Sequence, residues 1–195
     1  MGKRILINSE NFYPLQGGGE KHLEQLLQRL ISDGFEIEVI TVIPEIEGYE
    51  KDFNYPVHRI IEGKVSSEEL NGLSVCDFIW GSEISYASNY FGRKNPNLSN
   101  IKQIENSIKE FINNSDKFDI YIGVGQFGAN ILNLESDGGD IPKLIKEITP
   151  KGKTFYLEYD MYHFTNPHGD KIKISKWDYV DYILCLNGME MNHNS

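Results

Sequence analysis

Arg4-Ile5-Leu6-Ile7-Asn8 is a short apolar run with polar residues at both ends, and beyond residue 20 the apolar period changes. Leu23, Leu26, Leu27, Leu30 and Ile31 fall at i, i+3, i+4, i+7 and i+8, the single stripe of an amphipathic helix, whereas the first run has the continuous apolar character of a strand buried on both faces. Gly34 stands where such a helix is capped, and a second apolar run at 36–42 comes directly after it. A strand, a helix and a strand in this order pair in parallel through a right-handed crossover, and a parallel sheet needs cover on both faces. Runs at 57–61, 118–124, 153–158 and 182–186 repeat the strand pattern. Between them Ile101, Ile104, Ile108, Phe111 and Ile112 make a second helical stripe with Ser99 or Asn100 as its cap. Asp140 caps a further helix over 141–148, with Pro142 in its first turn. The expected fold class is α/β, a doubly wound parallel sheet with helices on both faces, in one domain spanning 1–195.

Two segments interrupt the alternation. Residues 45–54 are polar and read as a loop. Residues 62–98 carry Leu73, Cys76, Trp80, Ile84, Ala87 and Phe91 at helical spacing, but Gly81 and several serines break the pattern, so the segment reads as an interrupted helical insertion whose aromatics belong to the core or, alternatively, to an acceptor- or membrane-facing surface.

Composition narrows the classes of partner. The formal charge is −10, with 19 Lys and Arg against 29 Asp and Glu spread along the chain, and no basic cluster is present to neutralise a phosphate backbone. A nucleic-acid partner is therefore not expected. Cys76 and Cys185 sit in apolar runs without His or Cys at metal-ligand spacing and read as buried thiols of a reducing compartment. No stretch approaches the ~20 apolar residues of a membrane span, and the first apolar run stops at Asn8, short of a signal peptide. A cytoplasmic protein, free or peripheral to a membrane, is the expectation.

The segment that joins the first strand to the first helix, residues 9–22, is the candidate ligand site. It holds Gly17, Gly18 and Gly19, and contiguous glycines let a backbone turn with φ > 0 and approach a ligand while the next helix aims free N–H groups at the same point. A phosphate suits such a corner, although a glycine run by itself also marks an ordinary flexible turn. The spacing is not the dinucleotide fingerprint, which needs glycines at its first, third and sixth positions. Glu20, a negative charge in the first helical turn, is placed to bond the loop and helix-end N–H groups. In an open parallel sheet the carboxyl ends of strands gather ligands, so the loops at 125–128 and 159–163 are expected to meet the glycine segment in one crevice.

A strand followed by Phe12-Tyr13-Pro14, two residues, Gly17-Gly18-x-Glu20-x-His22 and an amphipathic helix resembles the opening of family 4 retaining glycosyltransferases, two-domain enzymes of the GT-B fold. Gly34-Phe35-Glu36-Ile37-Glu38-Val39-Ile40-Thr41 is similar to the second strand of that family, and the resemblance is densest over 4–42. It implies a Rossmann-like domain forming the acceptor-side half of such an enzyme. It also implies transfer of a sugar from a nucleotide sugar to a glycan, lipid or protein acceptor, without a cofactor or a metal. On that basis Gly17, Gly18, Gly19 and Glu20 bind the donor diphosphate, Gln126, Phe127 and Tyr159 face the acceptor, and Asp160 and His163 are the catalytic candidates. The family's histidine on the fourth-strand loop is replaced here by Gln126 or a neighbour, and its His-Asp pair by Tyr159-Asp160, with His163 three residues on. Most donor contacts of the family belong to a second domain, so the resemblance implies a separate donor-binding domain or subunit and little activity for this chain alone. The alternative is a non-catalytic glycan- or partner-binding module that keeps the fold. A small flavodoxin-like nucleotide-binding domain also fits the sheet but leaves Phe12-Tyr13-Pro14 unexplained.

Overall fold

The first apolar run becomes β1 (Arg4–Ser9), whose Ile5, Leu6 and Ile7 are at most 1% exposed, so the strand is buried on both faces. The computed structural model describes residues 2–9, 12–60, 62–75, 101–124, 140–158 and 179–185. After β1 come α1 (Gly18–Ser32) and β2 (Glu36–Thr41). Leu23 and Leu27 of the sequence stripe are fully buried, each contributing roughly 2 kcal/mol of apolar burial. The helix stops in a Schellman turn: Gly34, at φ +88°, donates its N–H to the Ile31 carbonyl, and Phe35 donates to that of Leu30.

The rest of the chain adds β3 (Glu45–Ile46), β4 (Val57–Arg59), β5 (Lys64–Val65), α2 (Ser67–Leu70), α3 (Ile101–Asn114), β6 (Ile120–Val124), α4 (Asp140–Ile148), β7 (Lys153–Glu158) and β8 (Tyr182–Cys185). Six of the strands form one sheet in the order β4-β2-β1-β6-β7-β8, and every pair is parallel. This is the α/β, Rossmann-like architecture expected. Strand order runs outward in one direction from β1 to β4 and in the other from β6 to β8, so the winding reverses between β1 and β6.

Several boundaries differ from the sequence expectation. Strands expected over 57–61 and 118–124 are shorter, at Val57–Arg59 and Ile120–Val124, and Asp140 is the first helical residue rather than the cap. The stretch 45–54 is not all loop: Glu45–Ile46 pairs in parallel with Lys64–Val65, a small second sheet inside what read as loop and helical insertion. Strands of two residues are set by this long-range pairing rather than by local pattern. Directly after it, Ser66 and Glu69 form a reciprocal capping box that starts α2, with Asn71 left-handed at its end.

Charged side chains bind the amino ends of the strands. Arg4 pairs with Glu38 of β2 and lies over the Phe118 ring at 4.7 Å, while its N–H donates to the Asp119 carboxylate at 3.0 Å. The second Glu38 oxygen is 3.0 Å from His58 Nε2, and the His58 ring packs 4.5 Å from that of Phe111, which places α3 over this face. Between β7 and β8, Asp181 accepts the Thr154 N–H at 2.8 Å and pairs with Lys146 of α4, and its own N–H donates to the Thr154 hydroxyl oxygen at 3.1 Å. Burial pushes the Asp181 carboxyl up, but the hydrogen bonds from Lys146 and Thr154 outweigh it and hold the group below its ordinary value.

Candidate functional site

The point where the winding reverses puts the carboxyl ends of β1, β6 and β7 side by side, with Ser9 opposite Val124 and Val124 opposite Leu157. The segments that begin at residues 10, 125 and 159 therefore start from adjacent strands, as a shared crevice requires. Buried polar side chains collect at this edge: Asn8 and Ser9 end β1 and Thr41 ends β2. Asn8 donates its amide to the Tyr121 hydroxyl at 3.1 Å, and burial raises the Tyr121 phenol well above its usual value.

The glycine segment has a different backbone from the one expected. Gly17 is the N-cap of α1 with an extended backbone, φ −77° and ψ −175°, and Gly18 and Gly19 lie in the first turn. None of the three has a positive φ, because the helix starts inside the run rather than after it. What they supply is the absence of side chains. Gly17 and Gly18 are exposed, and a Cβ added at Gly18 would meet no atom within 4 Å. The N-cap glycine has no side chain to bond the first turn, whose N–H groups, among the described residues, are left to water or a ligand. The Glu20 carboxylate folds back over this end: one of its oxygens lies 2.4 Å from where a Gly17 Cβ would stand. Its negative charge complements the helix dipole, and an incoming anion must displace it.

Of the other residues singled out in the sequence, Gln126, Phe127, Tyr159, Asp160 and His163 lie outside the described residues. The structure brings forward a different set. Arg59, the last residue of β4, donates to the carbonyls of Ile43 (2.6 Å), Pro44 (3.2 Å) and Tyr13 (3.2 Å), tying the segments after β1 and β2 to the sheet edge. Burial lowers its pKa, yet a guanidinium stays charged, and carbonyl dipoles solvate it here. The 51–55 segment packs on α1, with Gln28 bonded to Asn54 at 3.3 Å and Lys51 paired with Glu24.

A recess of about 170 Å³ lies between that segment and the start of α1. Phe12, Tyr13, Phe53 and Tyr55 give it aromatic walls, with Phe53 at 5.4 Å from Phe12, 5.9 Å from Tyr13 and 5.4 Å from Tyr55 between ring centres. Burial, with Glu24 adding to it, pushes the Tyr55 phenol up to about 12. The Lys51 ammonium stands over the Tyr13 and Phe53 rings at 5.1 and 5.3 Å. An exposed ion pair contributes about 0–1 kcal/mol and an exposed cation–π contact about 0.5–1 kcal/mol, so this lysine is easily moved. The sequence signal for the recess was the two-residue spacing of Phe53 and Tyr55 inside a polar stretch.

Among the described residues no helix is long and apolar enough to cross a membrane. Compared with known proteins, the chain matches no protein-family model and no curated protein.

Proposed function

We propose that the chain is the acceptor-side, N-terminal half of a GT-B glycosyltransferase, acting with a donor-binding half to move a sugar from a nucleotide sugar to a glycan, lipid or protein acceptor. The observation that carries this reading is the start of α1, where the N-cap and the first two helical residues are glycines, on the segment that leaves the central strand beside the reversal of winding. Sugar transfer needs the leaving diphosphate stabilised, and oriented N–H dipoles at a helix end provide that without reorganisation. Gly17, Gly18 and Gly19 take the diphosphate in this scheme and Glu20 yields its place to it. Gln126, Phe127 and Tyr159 face the acceptor, and Asp160 and His163 handle its hydroxyl.

Titration of the purified chain with uridine diphosphate, followed by amide NMR, tests the glycine corner. Weak binding with shifts confined to the amides of 17–20 is expected, lost in Gly18→Val at unchanged melting temperature and strengthened in Glu20→Gln. Absence of shifts at 17–20 removes the diphosphate site, and transfer of a labelled sugar by this chain alone removes the half-enzyme scheme. A glycan-binding module without catalysis is the second reading, favoured by the aromatic-walled recess beside α1, which the diphosphate scheme leaves unused.

A further inference from the structure

The recess between α1 and the 51–55 segment is separate from the glycine corner but shares Glu20 with it. We propose that it is a saccharide subsite that takes one uncharged pyranose ring.

The recess, at about 170 Å³, is smaller than the roughly 300–1,000 Å³ of sites that enclose drug-sized ligands, and matches a single ring better than a whole nucleotide. Chemistry selects among the small ones. Tyr13 and Phe53 are half-buried, so part of each ring reaches the recess, and a flat aromatic surface matches the C–H face of a pyranose. The hydroxyls at the rim of such a ring need both acceptors and donors. Glu20 and Glu24 accept, Lys21 and Lys51 donate, and the exposed Gln16 amide does both. Two carboxylates against two ammonium groups leave the lining without net charge, which favours a neutral ring over a phosphate or an amine. Lys51 now covers the Tyr13 and Phe53 faces from a flexible stem, and swinging aside both uncovers them and brings a donor to the rim. The identity of this ring as part of the acceptor rests on the glycosyltransferase reading; its binding does not.

The test is titration of the whole chain with the methyl glycosides of glucose, galactose and N-acetylglucosamine, read by NMR. At least one should bind saturably, with a Kd on the order of 1 mM, and give intermolecular Overhauser contacts to the Tyr13 and Phe53 ring protons. Phe53→Leu keeps apolar bulk beneath Phe12 and Tyr55 but removes the flat face, and it should weaken binding about tenfold. The Overhauser contacts in the unmodified chain keep the test decisive if that variant folds poorly. The subsite is overturned if none of the three glycosides saturates, if contacts fall elsewhere, if a folded Phe53→Leu binds as tightly, or if tetramethylammonium makes the ring contacts and the sugars do not. Sugar binding without any response to uridine diphosphate keeps the subsite and removes its enzymatic role. The opposite pattern removes the subsite alone.

Discussion

The two edges of the six-stranded sheet are held by different chemistry. At the amino edge, side chains satisfy side chains: Arg4 with Glu38, Glu38 with His58, and Lys146 with Asp181. At the carboxyl edge the half-buried guanidinium of Arg59 is spent on backbone carbonyls, the N-cap of α1 is a glycine with no capping side chain, and Gly17 and Gly18 open to solvent. Among the described residues, side-chain pairs mark one edge and bonds to backbone carbonyls the other. The carboxyl edge, where the exposed glycines lie, is also where ligands of open parallel sheets collect.

Variants at the two edges should separate stability from binding. Arg59→Met removes a tie of the carboxyl edge, leaving the carbonyls of Tyr13, Ile43 and Pro44 without this donor. A loss of about 2–3 kcal/mol is expected, which a thermal melt reads as a fall of roughly 5–10 °C. An unchanged melt would mean that the segments after β1 and β2 hold themselves.

At the amino edge, Asp181→Asn should cost about 1–2 kcal/mol at neutral pH through the weakened bonds to Lys146 and Thr154. Because the folded carboxyl titrates below its unfolded value, its contribution is complete above the ordinary aspartate pKa of about 3.9 and disappears as pH falls through the folded value. Melting temperatures of wild type and variant should therefore differ at pH 7 and converge in acid; a gap that persists there would place the effect in packing. Glu38→Gln, which breaks the Arg4 pair and weakens that with His58, should cost about 0.5–1 kcal/mol by chemical denaturation. The smallest stability effect belongs to Gly18→Ala, at a helical position with open space around the added carbon, where a change between 0 and about +0.5 kcal/mol is expected. A marked destabilisation there would show that the glycine serves the fold rather than access to the N–H groups.

The sequence carried the sheet because its information is local. Lys153–Glu158 matches the expected 153–158, and Gly34 stops α1 at the left-handed position that glycine occupies without strain. It carried the site less well. Gly17, Gly18 and Gly19 look alike whether a helix starts before or after them, so their φ values were not legible. Glu45–Ile46 and Lys64–Val65 are too short to show a period and exist through each other. Arg59 alternates with His58 in the sequence, and nothing local says that its donors end on carbonyls of residues 13, 43 and 44. The recess depends on the 51–55 segment lying against α1, a tertiary arrangement in which Tyr55 is buried in the core and Phe53 packs on Phe12.

The strand order also sets a timetable. β1 acquires its partner β2 within a few tens of residues, but the other edge of β1 pairs with β6, and the Arg4–Asp119 bond there spans 115 residues. At a synthesis rate of about 5–20 residues per second, that edge waits roughly 6–23 seconds for the ribosome to deliver its partner. Through that interval Ile5, Leu6 and Ile7, a fully buried apolar run in the finished sheet, present unpaired backbone to whatever strand comes first. The central strand of the fold is thus, during synthesis, open to mispairing along one edge, and the nascent chain should depend on chaperone cover until residue 124 has cleared the exit tunnel.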